Sequence, residues 1–300
     1  MRRKIPSLQA LACFDAAARH QSYTRAAQEL ALTQGAVSRQ IGALEAFVGV
    51  ALFQRTRHGV ALTARGAEYA LQVASRLQGL EQDTLDVMAG QGGGGVQLAA
   101  VPTFATRWLI PRLPALSALH PELTVHIETR TRPFLFADTT FDAALYAGTA
   151  EQVANWAGTR ALRLLTEDMV PVYSPALAKA LALRQPLTPQ AIAALPLLQQ
   201  STRPTAWRQW FEAAGVAAPM ALSGPRYELF SMTAAAAAQG LGLALVPSLL
   251  VEAELARGEL VVACDHVLPG DRAYYLVQPE RGEERPALGW FKAWLREAVR

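Results

Sequence analysis

The sequence predicts a mainly helical first domain with a short hairpin, a long helix after it, and then an α/β domain of two subdomains. Three observations carry that prediction. Residues 22–44, SYTRAAQELALTQGAVSRQIGAL, read as two short helices joined by a tight turn. The stretch ARGAEYALQVASRLQGLEQDTLDVMAG repeats apolar residues every three or four positions and runs into Gln91-Gly92-Gly93-Gly94-Gly95. From Val96 onward, apolar strand-like runs alternate with amphipathic helices, the rhythm of α/β units around a mostly parallel sheet. Three hundred residues are enough for about two domains with real cores.

In the first domain, Leu8, Leu11, Ala12 and Phe14 suit an opening helix, and Ala26, Ala27 and Leu30 give the next one a packing face. Ser22 or Thr24 can cap that second helix. In the third, Val37, Ile41, Leu44 and Val48 recur at intervals of four, three and four, which places them on one buried stripe. Thr33 stands in front as the N-cap, leaving outward-pointing amides where a phosphate can dock. The opposite face presents Gln34, Ser38, Arg39 and Gln40, residue types able to read base edges in a major groove. LFQRTRHGVALT then reads as strand, turn at His58-Gly59, and strand, setting Arg55, Arg57 and His58 on a wing beside that helix.

The charge distribution agrees. Residues 1–66 hold nine Lys or Arg against three acids, a balance of +6 that leaves −3 for the rest of a chain whose net charge is +3. One domain is therefore suited to a polyanion and the other is not. The excess of Arg over Lys throughout the chain is not itself read as functional.

Composition also excludes classes. Cys13 and Cys264 are far apart and fit a reduced cytoplasmic protein without a disulfide framework. The richest apolar run, LGLALVPSLLV, is broken by Pro247 and Ser248, so no membrane span is expected. MRRKIPSLQALAC imitates a lipoprotein export signal, but Pro6, Ser7 and Gln9 interrupt the apolar stretch it would need. The five histidines lack metal-ligand spacing, and no phosphate loop, nucleophile elbow or paired-cysteine motif is present. Gly240-x-Gly242 suits a tight helix-to-strand turn better than a phosphate loop. Neither an enzyme nor a resident metal or cofactor is expected.

The run FDAAARHQSYTRAAQELALTQGAVSRQIGALEAFVGVALFQRTRHGVALTARG resembles the winged helix-turn-helix domain of LysR-type transcriptional regulators. The resemblance is close over roughly the first 66 residues and looser beyond, nearest to the glycine-cleavage and beta-lactamase activator subgroup. Two departures stand in it: Gly35 replaces the usual Ser or Pro, and Gly42 a basic or polar residue, which leaves the third helix locally less rigid. The resemblance implies a winged helix-turn-helix domain over residues 1–66, a linker and dimerisation helix over 67–91, and an effector domain over 92–300 with the periplasmic-binding-protein fold. Its first subdomain would cover about 92–165 and 266–300, its second about 166–265. Thr33, Gln34, Ser38, Arg39, Gln40, Arg55 and Arg57 would meet promoter double-stranded DNA. Ala70, Val73, Leu77 and Leu80 would join two subunits, with two dimers forming a homotetramer and RNA polymerase as a further partner.

In open α/β sheets ligands sit beyond the carboxyl ends of strands. By that rule Thr103, Thr131, Arg132, Ser201, Thr202 and Tyr227 are candidates for effector contact, and Thr103 and Thr202 also match the family's effector-contacting loops. Arg130 and Arg132 point to a small-molecule effector bearing carboxylate or phosphate. The alternative readings are a cytoplasmic small-molecule-binding protein or an α/β enzyme without DNA function; the wing and the basic first domain argue against both.

Overall fold

A computed structural model describes residues 4–56, 59–88, 95–280 and 284–300. The chain divides into two units, Met1–Gly92 with Phe134–Thr140, and Gly93–Pro133 with Phe141–Arg300.

The first unit holds α1 (Leu8–His20), α2 (Tyr23–Glu29), α3 (Gln34–Val48), the hairpin of β1 (Phe53–Thr56) and β2 (Gly59–Leu62), and α4 (Ala64–Met88). Side-chain caps open its first three helices: Ser7, Ser22 and Thr33 each accept the backbone N–H three residues on. Gly49, at φ 75°, ends α3 in the left-handed conformation. Phe14, Ala17, Ala26, Val37, Ile41 and Leu44 close one core, into which Val73 of α4 also packs. Thr63 caps α4 by accepting the Gly66 N–H at 3.0 Å. A side chain at Gly66 would collide with the Leu52 carbonyl, so the approach of α4 to the hairpin requires glycine here.

The second unit contains two five-stranded sheets. In chain order its elements are β3 (Gly95–Ala100), α5 (Pro102–Phe104), α6 (Leu113–Leu119), β4 (Thr124–Thr129), β5 (Ala143–Thr149), α7 (Ala150–Ala154), β6 (Thr159–Thr166), β7 (Met169–Tyr173), α8 (Pro175–Ala180), α9 (Pro189–Ile192), β8 (Leu197–Gln200), α10 (Ala206–Ala213), β9 (Arg226–Tyr227), α11 (Phe230–Ala238), β10 (Leu243–Pro247), α12 (Glu252–Ala256), β11 (Val261–Val262), β12 (Arg272–Pro279) and α13 (Pro286–Ala298). The first sheet runs β4-β3-β5-β12-β6 and the second β11-β7-β10-β8-β9. The chain passes from one to the other after β6 and returns before β12.

Two expectations need correction. The sheets are mixed rather than mostly parallel: β12 is antiparallel to β5 and β6, and β7 to β10 and β11. In each sheet the reversed strand is the one that follows a crossover, β7 in the second sheet and β12 in the first. The strand β6, TRALRLLT, escaped the sequence reading because it is a sheet edge, where Arg160 and Arg163 interrupt the apolar run. Of the amphipathic helices expected in the alternation after Val96, TRWLIPRLPALSALH is not continuous: it is π-helical over Ala105–Leu109 and 3-10 over Ile110–Arg112 before α6, because Pro111 and Pro114 each lack a ladder N–H.

Candidate DNA-reading helix and effector cleft

The stripe Val37, Ile41 and Leu44 lies in the core, which fixes the rotation of α3 about its axis. Ser38 and Arg39 are consequently exposed on the side turned away from the stripe, while Gln34 is exposed at the helix start and Gln40, three residues after Val37 and four before Leu44, is half-buried along the stripe's edge. Thr33 Oγ1 accepts the Ala36 N–H at 3.2 Å, so the helix starts as its cap predicts. The wing is tied to the same helix from within: Glu45 Oε1 accepts the N–H groups of Leu52 (2.7 Å) and Phe53 (3.0 Å). On the hairpin Arg55 is exposed and pairs across the ladder with Val60. Arg57 and His58 lie outside the described residues, as do the residues 89–94 that cover most of the glycine-rich joint.

Along α4, Val73 is buried against its own domain and Ala70 and Leu77 pack partly on the same core. Leu80 is 49% exposed. Within this unit Leu8, Leu11, Val73, Leu77 and Leu80 line an apolar groove of about 720 Å³.

In the second unit a cavity of about 250 Å³ opens among the strand ends, lined by Thr103, Thr131, Tyr146, Glu167, Thr202, Arg203, Glu228, Arg272 and Tyr274 among others. Of the sequence candidates, the structure brings Thr103, Thr131 and Thr202 to this wall. Arg132 and Ser201 are exposed and Tyr227 packs partly on the core, all outside the lining. Arg130 is also outside and is spent on Glu128 at 2.5 Å.

The cleft is built from buried polar groups that hold one another. Thr103 is buried and its Oγ1 accepts the Ser231 N–H at 3.3 Å. Gln200, also buried, donates to Thr202 Oγ1 (3.1 Å) and the Glu228 carbonyl (2.6 Å), and accepts from Thr233 at 2.8 Å. One amide side chain thereby sets two loops of the wall. Glu167, with 2% of its side chain exposed, accepts both Nε (2.7 Å) and Nη2 (2.9 Å) of Arg203. This fork geometry is what makes a buried pair tolerable. Phe104 stacks between Trp108 and Tyr274 at ring separations of 4.8 and 4.3 Å. Burial, with the Glu167 carboxylate beside it, pushes the Tyr274 phenol well above its ordinary pKa, so it is a neutral donor. On the outer side, Arg112 reaches Glu252 at 2.9 Å and Arg107 bonds Glu254, joining the segment after β3 to α12.

Glu167, Arg203, Arg272 and Tyr274 were absent from the sequence candidates. Glu167 follows β6, the strand that went unread. Arg272 begins its strand, and β12 runs antiparallel, so its first residue lies opposite Thr149, the last residue of β5. A strand-end rule written for parallel sheets looks at the wrong end of such a strand.

Two family models match: the bacterial regulatory helix-turn-helix protein, lysR family, over residues 8–67, and the LysR substrate binding domain over 89–300. The chain is 34% identical over 296 residues to the glycine cleavage system transcriptional activator of Escherichia coli (strain K12), covering 98% of this chain and 94% of that one. It is likewise 34% identical over 295 residues to the HTH-type transcriptional activator AmpR of Rhodobacter capsulatus, covering 96% of each. Among solved structures, the second unit is similar to the effector domain of the transcriptional regulator AmpR of Pseudomonas aeruginosa, with a TM-score of 0.59 and 27% identity, covering 69% of this chain and 96% of that one. Full-length CbnR complexed with its target DNA shares the fold at a TM-score of 0.68 and 19% identity, covering 97% of this chain and 99% of that one. The capped helix with its exposed polar face and the two-sheet cleft thus have their counterparts in one group of proteins, and this chain belongs to it: the LysR family of DNA-binding transcriptional regulators with an effector-binding domain.

Proposed function

We propose that the protein works as a dimer whose two copies of α3 enter successive major grooves of an interrupted palindrome in promoter DNA. Gln34, Ser38, Arg39 and Gln40 touch base edges, while Thr33, Arg55 and Arg57 hold phosphates. The carrying observation is the exposed polar face of α3 set against a fully buried apolar stripe. The apolar groove beside α1 and α4, with exposed Leu80 at its edge, is the surface a second copy covers. Two such dimers assemble as a tetramer. The cavity at Thr103, Thr131 and Thr202 takes a small-molecule effector, which shifts the two-sheet domain between states and so changes promoter binding or DNA bending. Contact with RNA polymerase and a cytoplasmic location complete the reading; no described helix is long and apolar enough to cross a membrane.

The test is binding of the purified protein to the DNA upstream of its own gene, competed by random DNA across a salt series. Specific retention with a protected interrupted palindrome is expected. Uniformly weak binding at every salt concentration would overturn the reading.

A further inference from the structure

The charged groups of the cavity divide into two kinds. Glu167 and Arg203 neutralise each other in a buried fork, and Arg203 spends a further N–H on the Thr202 carbonyl at 3.0 Å. Neither is free for a ligand, because parting them would leave a buried charge uncompensated. Arg272 and Glu228 remain. Arg272 is half-buried and makes a single bond, from Nη1 to Gln152 Oε1 at 3.2 Å, with no carboxylate partner among the described residues. Glu228 is exposed, gives only its backbone carbonyl to the wall, and has no cation partner among the described residues. Arg272 stands on β12 of the first sheet and Glu228 directly after β9 of the second. The cavity therefore offers one unspent cation on one wall and one unspent anion on the other.

We infer that the effector is a small amphoteric molecule, its carboxylate held by Arg272 and its ammonium by Glu228, so that the ligand itself bridges the two walls. The inference rests on the cleft being the effector site. About 250 Å³ holds one amino acid or a very short peptide and no polymer. The geometry also supplies the switch: a ligand with both charges bonds both sheets, whereas one with a single charge bonds only one and gains nothing from closure. Arg130 and Arg132, from which a ligand bearing carboxylate or phosphate was expected, lie outside the cavity, and Arg272 takes the place of that cation.

The experiment is calorimetric titration of the full-length protein with free amino acids and dipeptides, each beside its N-acetyl and its carboxamide derivative. At least one free compound should bind, and removing either charge should weaken it tenfold or more. Arg272→Gln should make the free acid and its amide bind alike while leaving the preference for a free amine. Glu228→Gln should do the reverse, and Arg272→Lys should keep the original ranking. No binding anywhere in the panel, equal binding of all three forms, or unchanged discrimination in both variants would each overturn the inference. A derivative with one charge whose binding vanishes in Thr103→Ala would also overturn it, yet would leave the cleft as the effector site.

Discussion

Arg39 on α3 is exposed and has no carboxylate partner among the described residues, while Arg203 in the cleft is 15% exposed and forked onto Glu167. The same side chain serves opposite ends. On α3 the Arg39 donors are left unspent, as the proposed DNA contact requires, since DNA would supply the acceptors and every phosphate neutralised releases a counterion. At the Glu167–Arg203 pair of the cleft the donors are already satisfied, because an unpaired charge in that buried wall would cost stability before any ligand arrived. Rigidity in the first region comes from the apolar stripe beneath the polar face; in the second it comes from the polar groups themselves. Substitutions should therefore act on binding along the exposed face of α3 and on folding at the buried Glu167–Arg203 pair.

The largest effect is expected from Glu167→Ala. It strands Arg203 in a buried wall, at a cost of about 3 to 5 kcal/mol. All six tryptophans lie in the second unit, so their fluorescence in urea reports that unit alone. The transition should move to markedly lower urea, and an unchanged midpoint would mean that the pair contributes no net stability. Next comes Arg39→Ala, which removes the proposed base contact at an exposed position. Specific binding should fall by about 1 to 3 kcal/mol relative to random DNA. Equal losses on both DNAs would reassign Arg39 to the phosphates and blur the contrast with Gln34 and Ser38.

The two regions were also unequally legible in the sequence. A helix repeats its apolar residues at a fixed interval, so Val37, Ile41 and Leu44 disclosed which way Gln34 and Arg39 face without any knowledge of the rest of the chain. Its start was equally local, since Thr33 caps it by bonding an amide three residues away. The cleft is assembled from residues more than a hundred positions apart, as Thr103 and Ser231 are. Thr103, Thr131 and Thr202 could be reached through the strand-end rule because they follow β3, β4 and β8. Arg272 could not, since its strand direction is a property of the crossover and is written in no local pattern. Nor could the Glu167–Arg203 pair, whose members look like ordinary surface charges until the fold buries them.

Intermediate in size is the network between α1 and α2. Arg19 bonds both carboxylate oxygens of Glu29 at 2.5 and 3.0 Å, and His20 adds a contact at 2.7 Å. The Arg19 guanidinium, then His20, lower the Glu29 pKa from 4.5 to about 2. A depressed carboxylate stabilises the fold above its unfolded pKa and loses that contribution as pH falls through the folded value. Glu29 is 35% exposed, so solvent screens much of the gain and Glu29→Gln should cost only about 1 kcal/mol at neutral pH. The difference between wild type and variant should shrink between about pH 4.5 and 2, followed by helix ellipticity. A difference that stays constant with pH would show that the charge on Glu29 is immaterial.

The smallest effect, and the one of opposite sign, belongs to Gly42→Ala. Gly42 is an exposed interior position of α3, and a Cβ built there meets nothing within 4 Å. Alanine removes backbone freedom from the unfolded chain without any steric cost in the folded one, which should stabilise the helix by about 0.5 to 1 kcal/mol. In most surface helices that would be the whole consequence. Here the stiffened helix is the one that carries the polar face, so the substitution separates two demands on it. If DNA binding needs only the rotation fixed by Val37, Ile41 and Leu44, the variant should melt higher and retain operator DNA as wild type does. If instead α3 must adjust along its length to seat Gln34 and Arg39 on the bases, the gain in melting temperature should come with weaker specific retention and unchanged binding to random DNA. The second result would make Gly42 a point where stability has been given up for fit, in contrast to the mutually satisfied Glu167–Arg203 pair.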